Sequence, residues 1–404
     1  MTGSADGSGP PVRIVHLGLG AFHRAHQVWF TQRSDPAWGI AAFAGRSVRL
    51  AETLSAQDCV YTLVERGPDT DTFHTMTSLV LARGADRPAE LNRLVARPSV
   101  AVVTLTVTEE GYSGWQADVA ALRDGGTPRT APGRILEALR ARRRASAGPL
   151  AVVPCDNVLA NGDRVRTALL GLAHEVDRDL VAWLTDHVSF VDTVSDRITP
   201  ATTDDDVSLV AAATGRPDHA PVVTEPFAEW VLAGEFPAGR PEWERAGAVF
   251  VDNIRPFERR KLRLLNGAHL LLALAGVRRG HHTVAEAIAD PALRRLTEEY
   301  WMTAAQGVPE ADAYCQQLRA RFDNARIRHS LHQIATDAEA KLRERIVPVV
   351  TELLAANADP APALRVVAAW LAHTGMTADI ALDRLAPGWA ANRKLRHSLE
   401  GAMR

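Results

Sequence analysis

Lysine is almost absent from this chain, and an excess of charge of either sign is absent too. The 404 residues carry 46 Lys and Arg against 48 Asp and Glu, a formal charge of -2. Because nucleic acids and anionic membranes are bound largely through positive charge, we expect neither as a partner. Lysine stands only at Lys261, Lys341 and Lys394. Arginine keeps its proton in proteins whereas a desolvated lysine can lose it, so these three positions are candidates for proton transfer.

Cysteine and long apolar runs are also scarce. Cys59, Cys155 and Cys315 are odd in number and without paired spacing, which argues against a disulfide framework or a zinc cluster, so we expect no metal site. The longest apolar run, near residues 270–277, is shorter than the roughly 20 residues that a bilayer requires. Residues 1–11 lack the features of a secretion signal and are expected to form a disordered tail. We therefore expect a cytoplasmic protein that spans no membrane.

The order of apolar and helical stretches predicts two domains. Short apolar runs alternate with helical spacing over residues 12–253, which predicts an α/β fold, a Rossmann-like domain with a doubly wound parallel sheet. Within it, residues 21–33 are predicted as one helix and residues 61–81 as an extra hairpin. Residues 254–404 show helical spacing with little strand signal and predict an all-α C-terminal domain.

The first predicted strand ends in a glycine turn. Gly18 and Gly20 stand between strand and helix, where glycines let a pyrophosphate approach backbone N–H groups, and this favours an NAD(P)-binding site. Phe22, His23 and Arg24 follow where the phosphates of the cofactor would lie. His23 replaces the third glycine of the usual pattern, so a purely structural glycine turn with packed histidines remains the alternative.

Position 46 bears on the choice of cofactor. Where an NAD-selective fold has an acidic residue after its second strand, this chain has Arg46. Arginine can bind a 2′-phosphate and stack on adenine, which favours NADP or the use of both dinucleotides. The alternative is an ordinary arginine at the start of a helix with Ser47 as its cap.

One predicted helix carries most of the chemically useful side chains. With about 100° per residue, His269 lies about 80° and Asn266 about 140° from Lys261, so all three can border one cleft. A lysine of adjustable pKa, an amide and an imidazole suit the chemistry of a carbonyl group. An amphipathic helix with an incidental lysine and a half-buried histidine is the alternative.

Six motifs resemble those of the polyol-specific long-chain dehydrogenases, the mannitol dehydrogenase family, which includes the fructuronate and tagaturonate reductases. They are GLGAFHRAHQ at 18–27, TVTEEGY at 106–112, CDN at 155–157, SDRITP at 195–200, EPFAEWV at 225–231 and PFERRKLRLLNGAH at 256–269. The motifs extend over most of the chain, and their order and spacing together are more specific than any one of them. The resemblance implies a metal-independent hydride transfer between NAD or NADP and a sugar, polyol or sugar-acid substrate, in a monomer or weak homo-oligomer.

The same resemblance implies roles for particular residues. Lys261 matches the general acid/base, Asn157 and Asn266 the amides that hold the substrate oxygen, and His269 an imidazole that orients the substrate. Asn157 is also expected to contact the cofactor.

Two acidic residues match carboxylates that tune the lysine and connect it to solvent. These are Asp196 and Glu109. From the residues alone, an ion pair with Arg197 or a turn role is open for Asp196, and an exposed loop position for Glu109.

The resemblance also extends to the segment at 328–348, which bears on the expected substrate. Lys341 matches a substrate-binding lysine, and polyol-oxidising members have an arginine where this chain has Gln333. Gln333 and Phe257 resemble the fructuronate reductases, and a sugar acid needs a cation that Lys341, Arg328 or Arg263 can supply. A solvated helix charge is the alternative for each of the three.

These resemblances favour a fructuronate reductase that forms D-mannonate. A mannitol 2-dehydrogenase or another polyol dehydrogenase is the first alternative. A catalytically weakened sensor of cofactor or sugar is the second, prompted by Gln333 and by Asp192, which stands where relatives tend to have Asn.

Overall fold

A computed structural model describes residues 9–45, 48–107 and 109–403, and only the backbone of Glu109 and Glu110. Arg46 and most of the predicted tail at 1–11 therefore lie outside the described residues. The chain divides into two compact units. Unit 1 comprises Met1–Arg66 and Thr70–Ile254, and unit 2 comprises Gly67–Asp69 and Arg255–Arg404.

Unit 1 alternates strands and helices. Its strands are β1 (Val12–Leu17), β2 (Gly39–Phe43), β3 (Tyr61–Arg66), β4 (Asp71–Met76), β5 (Leu79–Arg83), β6 (Val102–Leu105), β7 (Leu150–Pro154), β8 (Val188–Phe190), β9 (Asp192–Asp196), β10 (Val222–Thr224), β11 (Glu229–Ala233) and β12 (Val249–Phe250). Its helices are α1 (Ala21–Ala25), α2 (Gln27–Ser34), α3 (Arg49–Ala56), α4 (Pro88–Val95), α5 (Val119–Arg123), α6 (Ala131–Arg144), α7 (Asn161–Val176), α8 (Arg178–His187) and α9 (Asp204–Thr214). Short 3-10 turns are Glu109–Tyr112, Trp115–Asp118 and Trp243–Ala246.

The main sheet of unit 1, within the described residues, has six parallel strands in the order β5-β2-β1-β6-β7-β8. Neighbouring residues of β1 enter different cores, Ile14 on one face and Val15 on the other. A parallel sheet covered on both faces explains the unbroken apolar runs in the sequence. The predicted doubly wound fold is confirmed.

Two small sheets, β10-β3-β4 and β12-β11-β9, accompany the main sheet. The first contains the antiparallel β3-β4 hairpin, which occupies the first part of the predicted 61–81 segment. The rest of that segment leads into β5, an edge strand of the main sheet.

Unit 2 is helical, as predicted. Its helices are α10 (Arg255–Arg260), α11 (Gly267–Arg278), α12 (Val284–Ala289), α13 (Pro291–Ala304), α14 (Ala311–Phe322), α15 (Leu331–Ala335), α16 (Ala338–Arg345), α17 (Val347–Ala355), α18 (Ala361–Thr374), α19 (Ala378–Leu385) and α20 (Arg393–Ala402), with a π-helical segment at Lys261–Asn266. One apolar core connects them, with α11 buried along most of its length. Throughout the described ranges, no helix has both the length and the hydropathy of a membrane span.

The helix predicted at 21–33 forms as two helices instead of one. The helical backbone is interrupted at His26 (φ -118°, ψ -80°), between α1 and α2. The His26 ring is fully buried, and its Nε2 lies 3.0 Å from the carbonyl oxygen of Glu229. Helical spacing in the sequence cannot show this contact, which joins residues 203 positions apart.

Candidate functional site

The glycine turn after β1 has the geometry of a dinucleotide-binding loop. Gly18 has φ +111°, and a Cβ there would lie 2.0 Å from the carbonyl oxygen of Thr106. The Thr106 hydroxyl donates to the Gly18 carbonyl over 2.8 Å, and the Gly18 N–H donates to Phe43 O over 2.9 Å. Since β1 and β6 are adjacent at the point where the strand order reverses, the loop occupies the position where open α/β sheets bind their ligands.

Gly20 differs from Gly18 because its backbone is extended (φ -149°). A Cβ at this position would have only Gly18 O nearby, at 3.6 Å. Local packing therefore does not require the glycine, and its missing side chain leaves space beside the first turn of α1. The approach of a cofactor pyrophosphate to this turn stays a prediction.

His23 lies beneath this loop. Its ring is fully buried and stacks on the ring of His16, with centroids 3.4 Å apart and planes 6° apart. Burial lowers the pKa of both imidazoles, that of His16 to about 3, so both are neutral at physiological pH. His23 can therefore support the loop by packing, but it brings no positive charge to a phosphate.

Arg24 and Phe22 also pack within unit 1. Arg24 is 4% exposed, and its guanidinium donates to the carbonyl oxygens of Gly20 and Ala220. The Phe22 ring stacks on the His26 ring at 5.0 Å. The roles of His23, Arg24 and Phe22 in cofactor binding stay predictions, and their packing contacts within unit 1 act on the shape of the loop.

The buried His16 gives a prediction about acid stability. Its Nδ1 and Nε2 lie 2.8 and 3.1 Å from the hydroxyls of Thr104 and Thr106. The folded-state pKa of about 3 lies below the unfolded value of about 6.5, so the resulting stability is full above pH 6.5 and is lost as pH falls towards 3. As the pH falls from 6.5 to 5, we expect protonation of His16 in the unfolded state to lower the free energy of unfolding by about 2 kcal/mol.

Urea unfolding between pH 5 and 8 measures this loss. His16→Asn should flatten the pH dependence, whereas the control His219→Asn, at an exposed position of unit 1, should leave it unchanged. Equal slopes for wild type and His16→Asn would contradict the assignment.

A buried carboxyl group organises the segment after β6. One oxygen of Asp156 accepts the Val107 N–H at 2.5 Å and the other accepts the Tyr112 hydroxyl. Burial raises the pKa of Asp156 to about 8. These bonds hold both ends of the turn that contains Glu109, whose side chain lies outside the described part of the chain. Asn157, the next residue after Asp156, has an exposed side chain that is accessible to a ligand.

Asp196 ends β9 and is 2% exposed. In the antiparallel pairing of β9 with β11, its backbone lies opposite that of Glu229. The adjacent Arg197 pairs with Glu65 at 2.7 Å and donates to the carbonyl oxygens of Ala25 and Glu225, so its guanidinium fixes the chain just beyond Asp196. These contacts form no part of the sequence prediction.

Asp192, the residue that departs from the family pattern, begins β9. Its Oδ1 accepts the Gly162 N–H at 2.7 Å, in the first turn of α7. An acidic side chain suits the N-terminus of a helix, which gives Asp192 a structural reason of its own.

In unit 2, Lys261, Asn266 and His269 lie on one continuous helical stretch formed by α10, the π-helical segment and α11. All three are buried, with exposed fractions of 9%, 9% and 4%. The π-helical segment begins at Lys261 and ends at Asn266. Its hydrogen bonds join residues five apart, so the wider turn reduces the angle of about 140° that an α-helix would place between these two residues.

Side chains of α13 support the π-helical segment. The Tyr300 hydroxyl donates to Arg263 O at 2.7 Å, and the Trp301 indole N–H donates to Leu264 O at 2.9 Å. A Cβ at Gly267 would lie 1.9 Å from the Tyr300 hydroxyl oxygen, so glycine is required for this approach. Because a π-turn displaces the usual α-helical pairing, such side chains satisfy carbonyl groups that would otherwise be poorly bonded.

Two polar side chains on this stretch, His269 and Asn266, have notable surroundings. The His269 ring stacks on Phe322, with centroids 4.6 Å apart and planes 21° apart. Asn266 Oδ1 is buried and has no hydrogen-bond partner among the described residues. A buried acceptor without a partner is uncommon and indicates that a ligand or a water molecule binds there.

The cationic side chains that are predicted to bind the substrate differ in their surroundings. The Lys341 ammonium donates to the carbonyl oxygens of Ile334, at 3.0 Å, and Thr336. Burial lowers its pKa, and Arg345 lowers it further. Arg328 is exposed, whereas Arg263 is buried and paired with Glu352. Their roles in substrate binding stay predictions. Among the residues that the structure describes, no group of three or more His, Cys, Asp or Glu side chains is placed to hold a metal.

Comparison with known families matches both parts of the chain. The Mannitol dehydrogenase Rossmann domain matches residues 12–245, and the Mannitol dehydrogenase C-terminal domain matches residues 253–392.

Individual relatives agree with these matches. The chain is 36% identical to D-mannonate oxidoreductase of Escherichia coli, covering 97% of this chain and 86% of that protein. It is 33% identical to mannitol 2-dehydrogenase of Cereibacter sphaeroides, covering 94% and 84%. The fold matches Pseudomonas fluorescens mannitol 2-dehydrogenase, solved in a ternary complex with NAD and D-mannitol, with a TM-score of 0.88 and 30% identity over 98% of this chain and 92% of that one. The chain belongs to the mannitol dehydrogenase family and is an oxidoreductase that acts on CH–OH groups with a nicotinamide dinucleotide.

Proposed function

We propose that this enzyme reduces the ketone of a hexuronate, D-fructuronate in particular, to the corresponding secondary alcohol and also catalyses the reverse reaction. The observation that carries the chemistry is the π-helical segment that buries Lys261 and Asn266 at its two ends. The similarity to D-mannonate oxidoreductase supports the choice of a sugar acid, together with Gln333 and Phe257.

In this proposal the bound dinucleotide supplies or accepts the hydride. Lys261 donates a proton to the carbonyl oxygen as the ketone is reduced and accepts the hydroxyl proton in the reverse direction. The amides of Asn266 and Asn157 donate hydrogen bonds to the oxygen as it gains negative charge. His269 orients the substrate, because its ring is held against Phe322 and cannot turn freely.

The carboxylate of a hexuronate requires a cation. Arg328 is exposed, whereas Lys341 has a lowered pKa and already donates to two carbonyl oxygens. We propose that one of these two side chains binds the carboxylate. Asp196 and Glu109 are proposed to connect Lys261 to solvent, and His23, Arg24, Arg46, Phe22, Gly18, Gly20 and Asn157 to form the NAD or NADP site.

The proposed substrate is tested by the loss of reduced-nicotinamide absorbance with the purified protein. D-fructuronate and D-fructose are each compared with NADH and with NADPH. A hydrogen bond to a charged group contributes about 1.5–3 kcal/mol, so kcat/KM should favour fructuronate by about tenfold to a hundredfold. Arg328→Gln or Lys341→Gln should remove this preference without changing the value for fructose.

Two other outcomes are informative. Turnover of fructose alone would identify a mannitol 2-dehydrogenase and overturn the uronate assignment. Turnover of no ketose, polyol or uronate by the wild type would favour a sensor of cofactor or sugar.

A further inference from the structure

A second imidazole lies against His269 in unit 2. His329 stands in the segment before α15, and its ring meets the His269 ring edge to face, with centroids 4.9 Å apart and planes 85° apart. Phe322 covers His269 by stacking at 4.6 Å. The His269 ring therefore contacts two aromatic rings, the apolar ring of Phe322 and the imidazole of His329.

The backbone fixes the position of His329. Its carbonyl oxygen accepts the Val284 N–H at 3.0 Å, and its own N–H donates to Ile327 O at 2.9 Å. The next residue, Ser330, pairs with Thr283 in an antiparallel bridge. His329 therefore stands on a tethered segment, and its side chain approaches His269 from a defined direction.

The His329 side chain has hydrogen-bonding capacity that the described residues do not use. Its Nδ1 is buried and has no hydrogen-bond partner among them. Asn266 Oδ1, three residues from His269 on the same helical stretch, is in the same condition. Because buried polar atoms without partners are costly, His329 Nδ1, on a ring that contacts His269, indicates a place for a polar ligand.

The charge of His329 restricts the kind of ligand. Burial and, to a smaller extent, the positive charge of Arg321 lower its pKa to about 4. A neutral imidazole has one nitrogen that donates and one that accepts. A hydroxyl group, which also donates and accepts, matches such a partner better than a carboxylate, which only accepts.

We propose that His329, with His269, binds a hydroxyl of the substrate chain, so that this pair of imidazoles selects polyhydroxylated substrates. The proposal rests on the proposed function, in which His269 orients the substrate. His329 then acts on the binding of the sugar chain, and Lys261 remains responsible for proton transfer. The neighbouring Arg328 would serve the carboxylate of a uronate, and His329 a hydroxyl that uronates and ketoses share.

Two substitutions separate the nitrogen atoms of His329 from its packing. His329→Phe keeps an aromatic edge against His269 and removes both nitrogens, whereas His329→Asn keeps a donor and an acceptor close to the position of Nδ1. His332→Phe, at an exposed position of α15, is the matched control. We expect His329→Phe to lower kcat/KM about tenfold, mainly through KM. His329→Asn should restore most of that loss, and the control should equal the wild type.

A shorter substrate tests whether the contact is to the sugar chain. With dihydroxyacetone, which has fewer hydroxyls, the difference between wild type and His329→Phe should shrink to about twofold or less. NADH binding, followed by fluorescence titration, and the melting temperature should be unchanged in all variants.

The proposal is overturned if His329→Phe matches the wild type on the long substrate. It is also overturned if the Phe and Asn variants lose activity equally together with thermal stability, which would mean that His329 only supports the fold. A wild-type protein inactive on every ketose, polyol and uronate would instead overturn the proposed function and this assignment with it.

Discussion

Replacing Lys261 by alanine is expected to lower kcat about a thousandfold, since general acid/base groups contribute about 10²–10⁴. Lys261 is one of only three lysines in the chain and is 9% exposed. In the proposed mechanism, the loss of its ammonium removes the group that donates a proton to the carbonyl oxygen. The dinucleotide should still bind, because the glycine turn after β1 belongs to unit 1 and Lys261 to unit 2.

Two further variants distinguish a role of Lys261 in proton transfer from a role of its positive charge alone. Lys261→Arg keeps a positive charge but cannot release a proton, so it should be almost as inactive as the alanine variant. Lys394→Ala removes an exposed lysine from α20 and should leave kcat unchanged. Steady-state kinetics and NADH fluorescence titration measure all three. If Lys261→Arg kept more than a tenth of the wild-type activity, charge rather than proton transfer would explain the role of Lys261.

The general fold could be predicted from the sequence because its cause is local. Apolar runs such as residues 12–17 arise because adjacent side chains, Ile14 and Val15, are buried on opposite faces of the same sheet. The all-helical unit 2 follows from spacing in the same way. The break at His26 could not be predicted, since its partner is the carbonyl oxygen of Glu229, far away in the sequence.

The candidate site was predictable in its residue types but not in its geometry. Lys261, Asn266 and His269 are recognisable by type and order, and the angles of a regular α-helix allow all three to border one cleft, with Asn266 about 140° from Lys261. The π-helical segment changes that angle, and its stabilisation depends on Tyr300 and Trp301 from a different helix. Nothing in the spacing of residues 261–269 carries that information, because the hydrogen bonds that favour the π-turn come from outside it.

Charge was the second property that residue type alone did not determine. His23 stands where cofactor phosphates are expected, and a histidine there would attract them if protonated. Its burial against His16 keeps it neutral instead. Asp156, between Cys155 and Asn157, has no predicted role of its own, yet it holds the turn that follows β6. In both cases burial decides the chemistry, and burial depends on the packed structure.

Gly18→Ala is expected to disrupt the cofactor-binding unit itself. The residue has φ +111°, a region that side chains avoid, and an alanine Cβ would lie 2.0 Å from Thr106 O. Relief of this overlap requires β1 and β6 to separate, which breaks the hydrogen bond between the Thr106 hydroxyl and Gly18 O. Strain of this kind costs about 1–3 kcal/mol before the steric overlap is added. We therefore expect a loss of about 3 kcal/mol or more, with a fall in melting temperature of about 5–10 °C.

Gly20→Ala is the matched control, two residues away in the same loop. Its Cβ would meet only Gly18 O at 3.6 Å, and the extended backbone accepts alanine, so the melting temperature should stay within about 2 °C of the wild type. The added methyl group fills the space proposed for the pyrophosphate, so NADH affinity should fall about tenfold or more. Thermal denaturation and NADH titration of the two variants thus separate folding from cofactor binding. A Gly20→Ala protein that bound NADH like the wild type would place the pyrophosphate elsewhere, and a Gly18→Ala protein as stable as the wild type would show that the β1 turn tolerates a side chain.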